Sequence, residues 1–120
     1  MRRELEELLY QRYPAIFENR ELAPGEFSMQ RGFECGDGWF DLLNKLCSNL
    51  QYLSDHNADW PHVNVVQVKE KFGTLRFNFL GSGNEYARGM THMAMALSEL
   101  ICQECGATRC KKHDPSRFAS

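Results

Sequence analysis

Apolar residues recur along this chain in two rhythms. Between residues 38 and 54 they fall every three or four positions: Trp39, Leu42, Leu43, Leu46, Leu50 and Leu53, with Phe40 and Cys47 widening the stripe. That spacing predicts an amphipathic α-helix, with Asp37 placed to cap its start. A second stripe, Tyr86, Met90, Met93, Leu97 and Leu100 with Ala94 and Ile101 beside it, predicts a helix over 85–101. Gly81-Ser82-Gly83-Asn84 precedes it as a breaker and cap. A shorter stripe, Leu5, Leu8 and Leu9, predicts a helix over 2–12 that Pro14 ends. Tyr13, Ile16 and Phe17 follow as core anchors.

From Val63 to Leu80 the rhythm changes to alternation, the mark of half-buried strands. Gly73 divides this stretch, and a Gly73-Thr74 turn would pair Phe72 with Leu75, Glu70 with Phe77 and Val68 with Phe79. One face then carries Val66, Val68, Phe72, Leu75, Phe77 and Phe79; the other carries Lys69, Lys71, Arg76 and Asn78. Glu70 falls on the apolar face, where a carboxylate needs water at the sheet rim or an ion pair. Pro24-Gly25 and Gly32 mark residues 20–36 as a loop with a short extended piece around Phe27 to Phe33, and 54–61 is a polar loop. Residues 115–120 read as a frayed tail.

These elements predict an α+β domain. Two main helices and a short N-terminal one pack on a small antiparallel sheet, all within a single domain over 1–120. The size, 120 residues with 42% apolar and 25% charged, suits one modest core. The net charge is −2, so no global basic field drives nonspecific nucleic-acid binding. No apolar run reaches membrane-spanning length, and Met1 to Leu8 lacks a secretory signal's apolar stretch. A cytoplasmic setting is expected, in which five cysteines stay reduced and favour metal over disulfides.

The cysteines supply the strongest chemical signal. Cys102, Cys105, Cys110 and His113 lie within twelve residues in two pairs of equal gap. This is the spacing of a structural zinc site, a knuckle over 102–113. Gly106 lets the backbone turn back after the second thiol. Three thiolates on a divalent ion leave one negative charge, which Arg109, Lys111 and Lys112 could offset. His113 is the least secure ligand, with Asp114 or Cys35 as alternatives. Four protein ligands leave no open position for water, so the zinc is expected to stabilise rather than catalyse.

Elsewhere the residues offer binding rather than catalysis. Lys69, Lys71 and Arg76 share a strand face that could meet a phosphate or an acidic partner, although a solvated outer face is the ordinary reading. Met90, Met93 and Met95 suit either the core or an adaptable binding surface. Cys47 sits in the helical stripe as core. His56 and His62 flank the polar loop and are expected to be exposed. No serine or cysteine has a recognisable base motif nearby, and there is no phosphate-binding glycine loop.

Several segments taken in order carry a resemblance: Tyr13-Pro-Ala-Ile-Phe17; Glu34-Cys-Gly-Asp-Gly-Trp39 with Leu46-Cys47; Gln67-Val-Lys-Glu-Lys-Phe-Gly-Thr-Leu-Arg-Phe77; and Cys102-x-x-Cys105-Gly106. Together they resemble a family of small uncharacterised proteins found in bacteriophages, prophages and bacterial genomes. The chain departs from that family in its four-residue loop between the two ligand pairs, which is longer in the family. The resemblance implies no activity. It implies a setting among phage accessory genes, whose small non-enzymatic products often bind and inhibit host machinery. The leading expectation is thus a zinc-stabilised accessory protein that binds a host defence or regulatory protein. The alternative is a nucleotide or nucleic-acid binder using Lys69, Lys71 and Arg76.

Overall fold

A computed structural model describes residues 1–20 and 29–113. The Pro24-Gly25 loop, much of the expected extended piece, Asp114 and the 115–120 tail lie outside the described residues. The elements run α1 (Arg3–Arg12), β1 (Phe33–Glu34), α2 (Phe40–His56), β2 (Asn64–Lys71), β3 (Thr74–Leu80) and α3 (Glu85–Ser98). The α+β class holds. The sheet has three strands in the order β1-β2-β3, because two residues of β1 join β2 in parallel. Among the described residues, no helix is long and apolar enough to cross a membrane.

One core cluster joins all these elements. Leu9 of α1 and the anchors Tyr13, Ile16 and Phe17 meet Leu43, Leu46, Cys47 and Leu50 of α2 and Val68, Leu75 and Phe77 of the hairpin. The Ile16 carbonyl accepts the Val65 amide at 2.8 Å, fixing the anchor segment to the sheet. All five cysteines are free thiols, and Cys47 is fully buried.

The hairpin turn falls one residue earlier than the alternation suggests. Lys71 pairs with Thr74, so Phe72 and Gly73 form the turn and Glu70 opposes Leu75. Both turn residues have positive φ, 54° and 80°, the twist that two-residue hairpin turns favour. Glu70 ends not in an ion pair among the described residues but as a turn brace: its Oε1 accepts the Gly73 N–H at 2.8 Å. A bulge between Val65 and Gln67 lets both Val65 and Val66 be buried.

Asp37 does not cap α2. Residues Asp37–Trp39 form a 3-10 turn with no side-chain cap, and the Asp37 carboxylate instead takes the Arg2 backbone N–H at 2.7 Å and its side chain at 3.0 Å. Asn84 does cap α3, accepting the Ala87 N–H at 3.1 Å.

The inward face of α3 differs most from expectation. It buries Ala87, Thr91, Ala94 and Ser98. Tyr86, Met93, Leu97 and Leu100 are exposed, at 61%, 62%, 41% and 37%. Small residues let this helix approach the sheet edge, where Ser98 Oγ accepts the outward Leu75 N–H at 2.9 Å and donates to the Met95 carbonyl. That bond satisfies an edge-strand donor that no further strand reaches.

Candidate metal centre

The knuckle begins where α3 ends. Ile101 bridges Thr108, the Cys102 N–H donates to the Ala107 carbonyl at 2.9 Å, and the Gly106 N–H returns to the Cys102 carbonyl at 2.7 Å. Gly106 has φ of +81°, a conformation glycine adopts without strain. This tight reversal brings the ligand atoms of Cys102, Cys105, Cys110 and His113 within 4.8 Å of one another. Cys105 Sγ lies 3.6 Å from Cys110 Sγ, which lies 3.3 Å from His113 Nδ1. The four residues could hold a metal ion.

The electrostatics favour a cation there. The His113 backbone N–H points at Cys110 Sγ and, with its imidazole, holds that thiol at about 6, below its usual range. Cys105 moves the other way: the Ala107 N–H favours its thiolate, but desolvation and the crowding of the Cys110 and Cys102 sulfurs outweigh it. A divalent ion would relieve this crowding by holding the sulfurs as thiolates. Cys35 lies outside the cluster, buried, with its thiol pushed up to about 12 by that burial.

What the knuckle rests on was not apparent from ligand spacing. It docks on Gly36-Asp37-Gly38-Trp39, backbone against backbone. The Gly38 N–H donates to the Gln103 carbonyl at 2.7 Å, and the Gly36 N–H to Gln103 Oε1 at 3.0 Å. The buried Trp39 indole donates to the Ile101 carbonyl at 2.8 Å. A Cβ on Gly38 would stand 2.3 Å from the Cys102 carbonyl oxygen and 2.5 Å from the Gly106 nitrogen. The centre therefore clamps the start of α2 to the end of α3. The glycines flanking Asp37 are there for close approach, a need that only the distant knuckle reveals.

The basic face is assembled as expected in part. Lys69 lies directly across from Arg76, and Lys71 across from Thr74. Glu34 of β1 stands in register with Lys69 on the same face, an acid beside the cations that the hairpin alone does not disclose. At the tip, Phe72 is 87% exposed, with the Lys71 ammonium 5.8 Å from its ring centre.

A polar link also escaped the sequence reading. His62 Nδ1 lies 3.2 Å from Ser54 Oγ, and its Nε2 lies 3.0 Å from Glu18 and 3.1 Å from the Ala15 carbonyl. The order serine, imidazole, acid invites comparison with hydrolases. The imidazole nitrogen facing the acid is shared with a backbone carbonyl. The adjoining cavity, lined by Ser54, Trp60, Pro61 and Asn84, measures about 90 Å³, well under the roughly 300 Å³ of the smallest usual ligand pockets. The link fastens the loop after α2 to residues 15–18. His56 is engaged too, stacked on Tyr52 at 4.1 Å.

Comparison with protein-family models, with curated proteins and with solved structures finds no match. The functional reading rests on the chain's own geometry.

Proposed function

We propose that this is a small, non-enzymatic, zinc-stabilised accessory protein that binds a host protein through its hairpin tip. Phe72 carries the reading. A bulky residue at positive φ is an outlier, because the left-handed region crowds its Cβ at a cost of roughly 1–2 kcal/mol. The usual occupant of that turn position is Asn, Asp or Gly. Phe72 gains no burial in return, being 87% exposed. Strain held at an exposed aromatic points to contact with something outside the chain. Aromatic and arginine side chains are frequent anchors of protein interfaces; Lys71 stands beside the Phe72 ring, and the Lys69–Arg76 pair follows along the strands. The fitting partner surface is an apolar pocket with an acidic rim.

Zinc is the ion best suited to the knuckle. With Zn–S bonds of 2.3 Å, a tetrahedral site has sulfur–sulfur edges of about 3.8 Å, close to the 3.6 Å between Cys105 and Cys110. Four protein ligands complete that tetrahedron, so the ion holds the fold rather than activating water. The resemblance to phage and prophage proteins supplies the setting: a host-cell cytoplasm, and inhibition of a defence or regulatory protein as the outcome of binding.

A second reading has its own support. Lys69 and Arg76, directly opposed, repel one another across the strands, and an exposed aromatic beside cations can also stack on a nucleobase. The test separates the two. Wild-type and Phe72→Ala proteins are immobilised and exposed to nuclease-treated bacterial extract. A protein retained by the wild type and lost with Phe72→Ala supports the interaction reading. No protein above background would refute it. Binding of single-stranded oligonucleotides that falls steeply with salt would move the assignment to nucleic acid.

A further inference from the structure

A second exposed surface lies along α3, where large apolar side chains stand outward. Tyr86 and Met93 on the outer side of α3, and Leu100 just past its end, repeat every seven residues, and Gly89 and Ala96 repeat at the same interval three positions on. This is the pattern of a helix–helix seam, large residues at one position and small at the other. All five are exposed; Tyr86 also stacks on Trp60 at 4.4 Å, which holds its ring in place. The seam forms one edge of an open groove of about 460 Å³ between α2 and α3, lined by Leu42, Leu46, Gly89, Met90, Met93 and Leu97.

Gly89 sharpens the point. A glycine inside a helix costs about 1 kcal/mol relative to alanine. A Cβ at this position would meet nothing within 4 Å, so no contact inside the chain requires it to be small. Gly36 and Gly38 show the opposite case, where neighbouring backbone fills the space. The bareness of Gly89 fits the close approach of a helix from outside.

We infer that the α2–α3 face is a two-fold interface between two copies of this chain. A two-fold contact needs one patch that is complementary to itself, and this face supplies both halves of the fit. The Tyr86–Met93–Leu100 ridge of one protomer enters the α2–α3 groove of its partner, and the reverse. The charges match in the same sense. Lys45 lines the groove from α2, while the exposed Glu85 and Glu99, two heptads apart, flank the ridge from its far side; Glu85 lies 3.7 Å from Arg88 and Glu99 accepts the Thr74 hydroxyl at 3.2 Å, both contacts at the surface. Lys45 of one protomer then faces the acidic flank of the other. The knuckle, docked on Gly36–Trp39, ties the start of α2 to the end of α3. Association in the micromolar range, that of a weak specific contact, is expected.

The experiment is sedimentation of the metal-loaded protein from about 1 to 100 μM, a range set by that expected affinity. The expected result is a concentration-dependent shift from the 13.9 kDa chain to twice its mass. Met93→Lys places a charge on the ridge at a position already 62% exposed. It should abolish the shift while leaving the circular dichroism and urea midpoint unchanged. Lys45→Glu should weaken the dimer at least tenfold, and adding Glu85→Lys with Glu99→Lys should restore it. Phe72→Ala should leave it intact, which keeps this test separate from that of the hairpin tip. A wild type that stays monomeric at 100 μM would overturn the inference and leave the groove to a different protein. So would a dimer indifferent to both Met93→Lys and Lys45→Glu.

Discussion

Gly38→Ala tests whether the knuckle is held by backbone contact with the start of α2. The added methyl would lie 2.3 Å from one backbone atom and 2.5 Å from another. Neither neighbour is a flexible side-chain end, so the knuckle must lift. Lifting breaks the Gly38–Gln103, Gly36–Gln103 and Trp39–Ile101 hydrogen bonds. At about 1 kcal/mol net for each, the loss is about 3 kcal/mol, and more if the buried indole N–H is left without an acceptor. That is roughly a hundredfold in the folded-to-unfolded ratio. Urea unfolding of the metal-loaded protein, followed by tryptophan fluorescence, reads the loss directly. Competition with a chromophoric chelator reads it as weaker metal retention where the knuckle undocks without unfolding the core. Gly89→Ala, whose Cβ meets nothing, is the matched control and should gain up to about 1 kcal/mol in the dilute monomer. An unchanged midpoint together with unchanged metal retention for Gly38→Ala would refute the close-approach argument.

Chelation should raise amide exchange over 101–113 and at Gly36–Trp39, while α2 beyond its first turn and the hairpin stay protected; a knuckle with unchanged exchange would show that the metal does not hold it. Phe72→Asn, which suits positive φ, should raise the urea midpoint by the equivalent of about 1 kcal/mol even as it removes the proposed anchor, and a lowered midpoint would contradict the strain assigned to Phe72. Ser98→Ala leaves the buried Leu75 N–H without its acceptor and should cost about 1–3 kcal/mol, measured by thermal or urea unfolding. Burial pushes the Cys35 thiol up to about 12, and that of Cys47 upward as well. Above pH 9 the unfolded thiols ionise while the folded ones keep their protons, so stability should fall with rising pH, by about 1.4 kcal/mol per unit for each fully resistant thiol. Both cysteines should resist alkylation at pH 8 until the protein unfolds, as peptide mapping would report.

What the sequence disclosed follows the range over which each feature is encoded. The helix over 40–56 was legible because its stripe repeats along nearly the whole element, and the cluster that could hold a metal because its spacing is local. The platform beneath the knuckle was hidden because Gly36 and Gln103 are 67 positions apart, and a glycine's reason lies in what touches it. The hairpin turn was misplaced by one residue because Phe72 is an unusual occupant of the left-handed region and Gly73-Thr74 looked the more ordinary choice. The inward face of α3 was legible in part: Met90, Ala94 and Ile101 do meet the core. Hydrophobic size drew attention to Tyr86, Met93 and Leu97 as well, whereas close packing needed the small or polar Ala87, Thr91 and Ser98. A two-residue parallel strand such as β1 has no periodicity to detect.

The docking of the knuckle on Gly36–Trp39 also has a bearing on the order in which the chain folds. The hairpin closes over two residues, and α2 and α3 grow from local contacts, whereas the platform must wait for a segment 67 residues away. Such long closures come late on the folding path because their entropy is lost before their contacts form. Interactions made after the rate-limiting step alter the rate of escape from the native state more than the rate of reaching it. The seam between the two glycines and the knuckle should thus act as a latch on unfolding: in stopped-flow chevrons, Gly38→Ala steepens the loss of the native state while refolding proceeds at nearly the original speed.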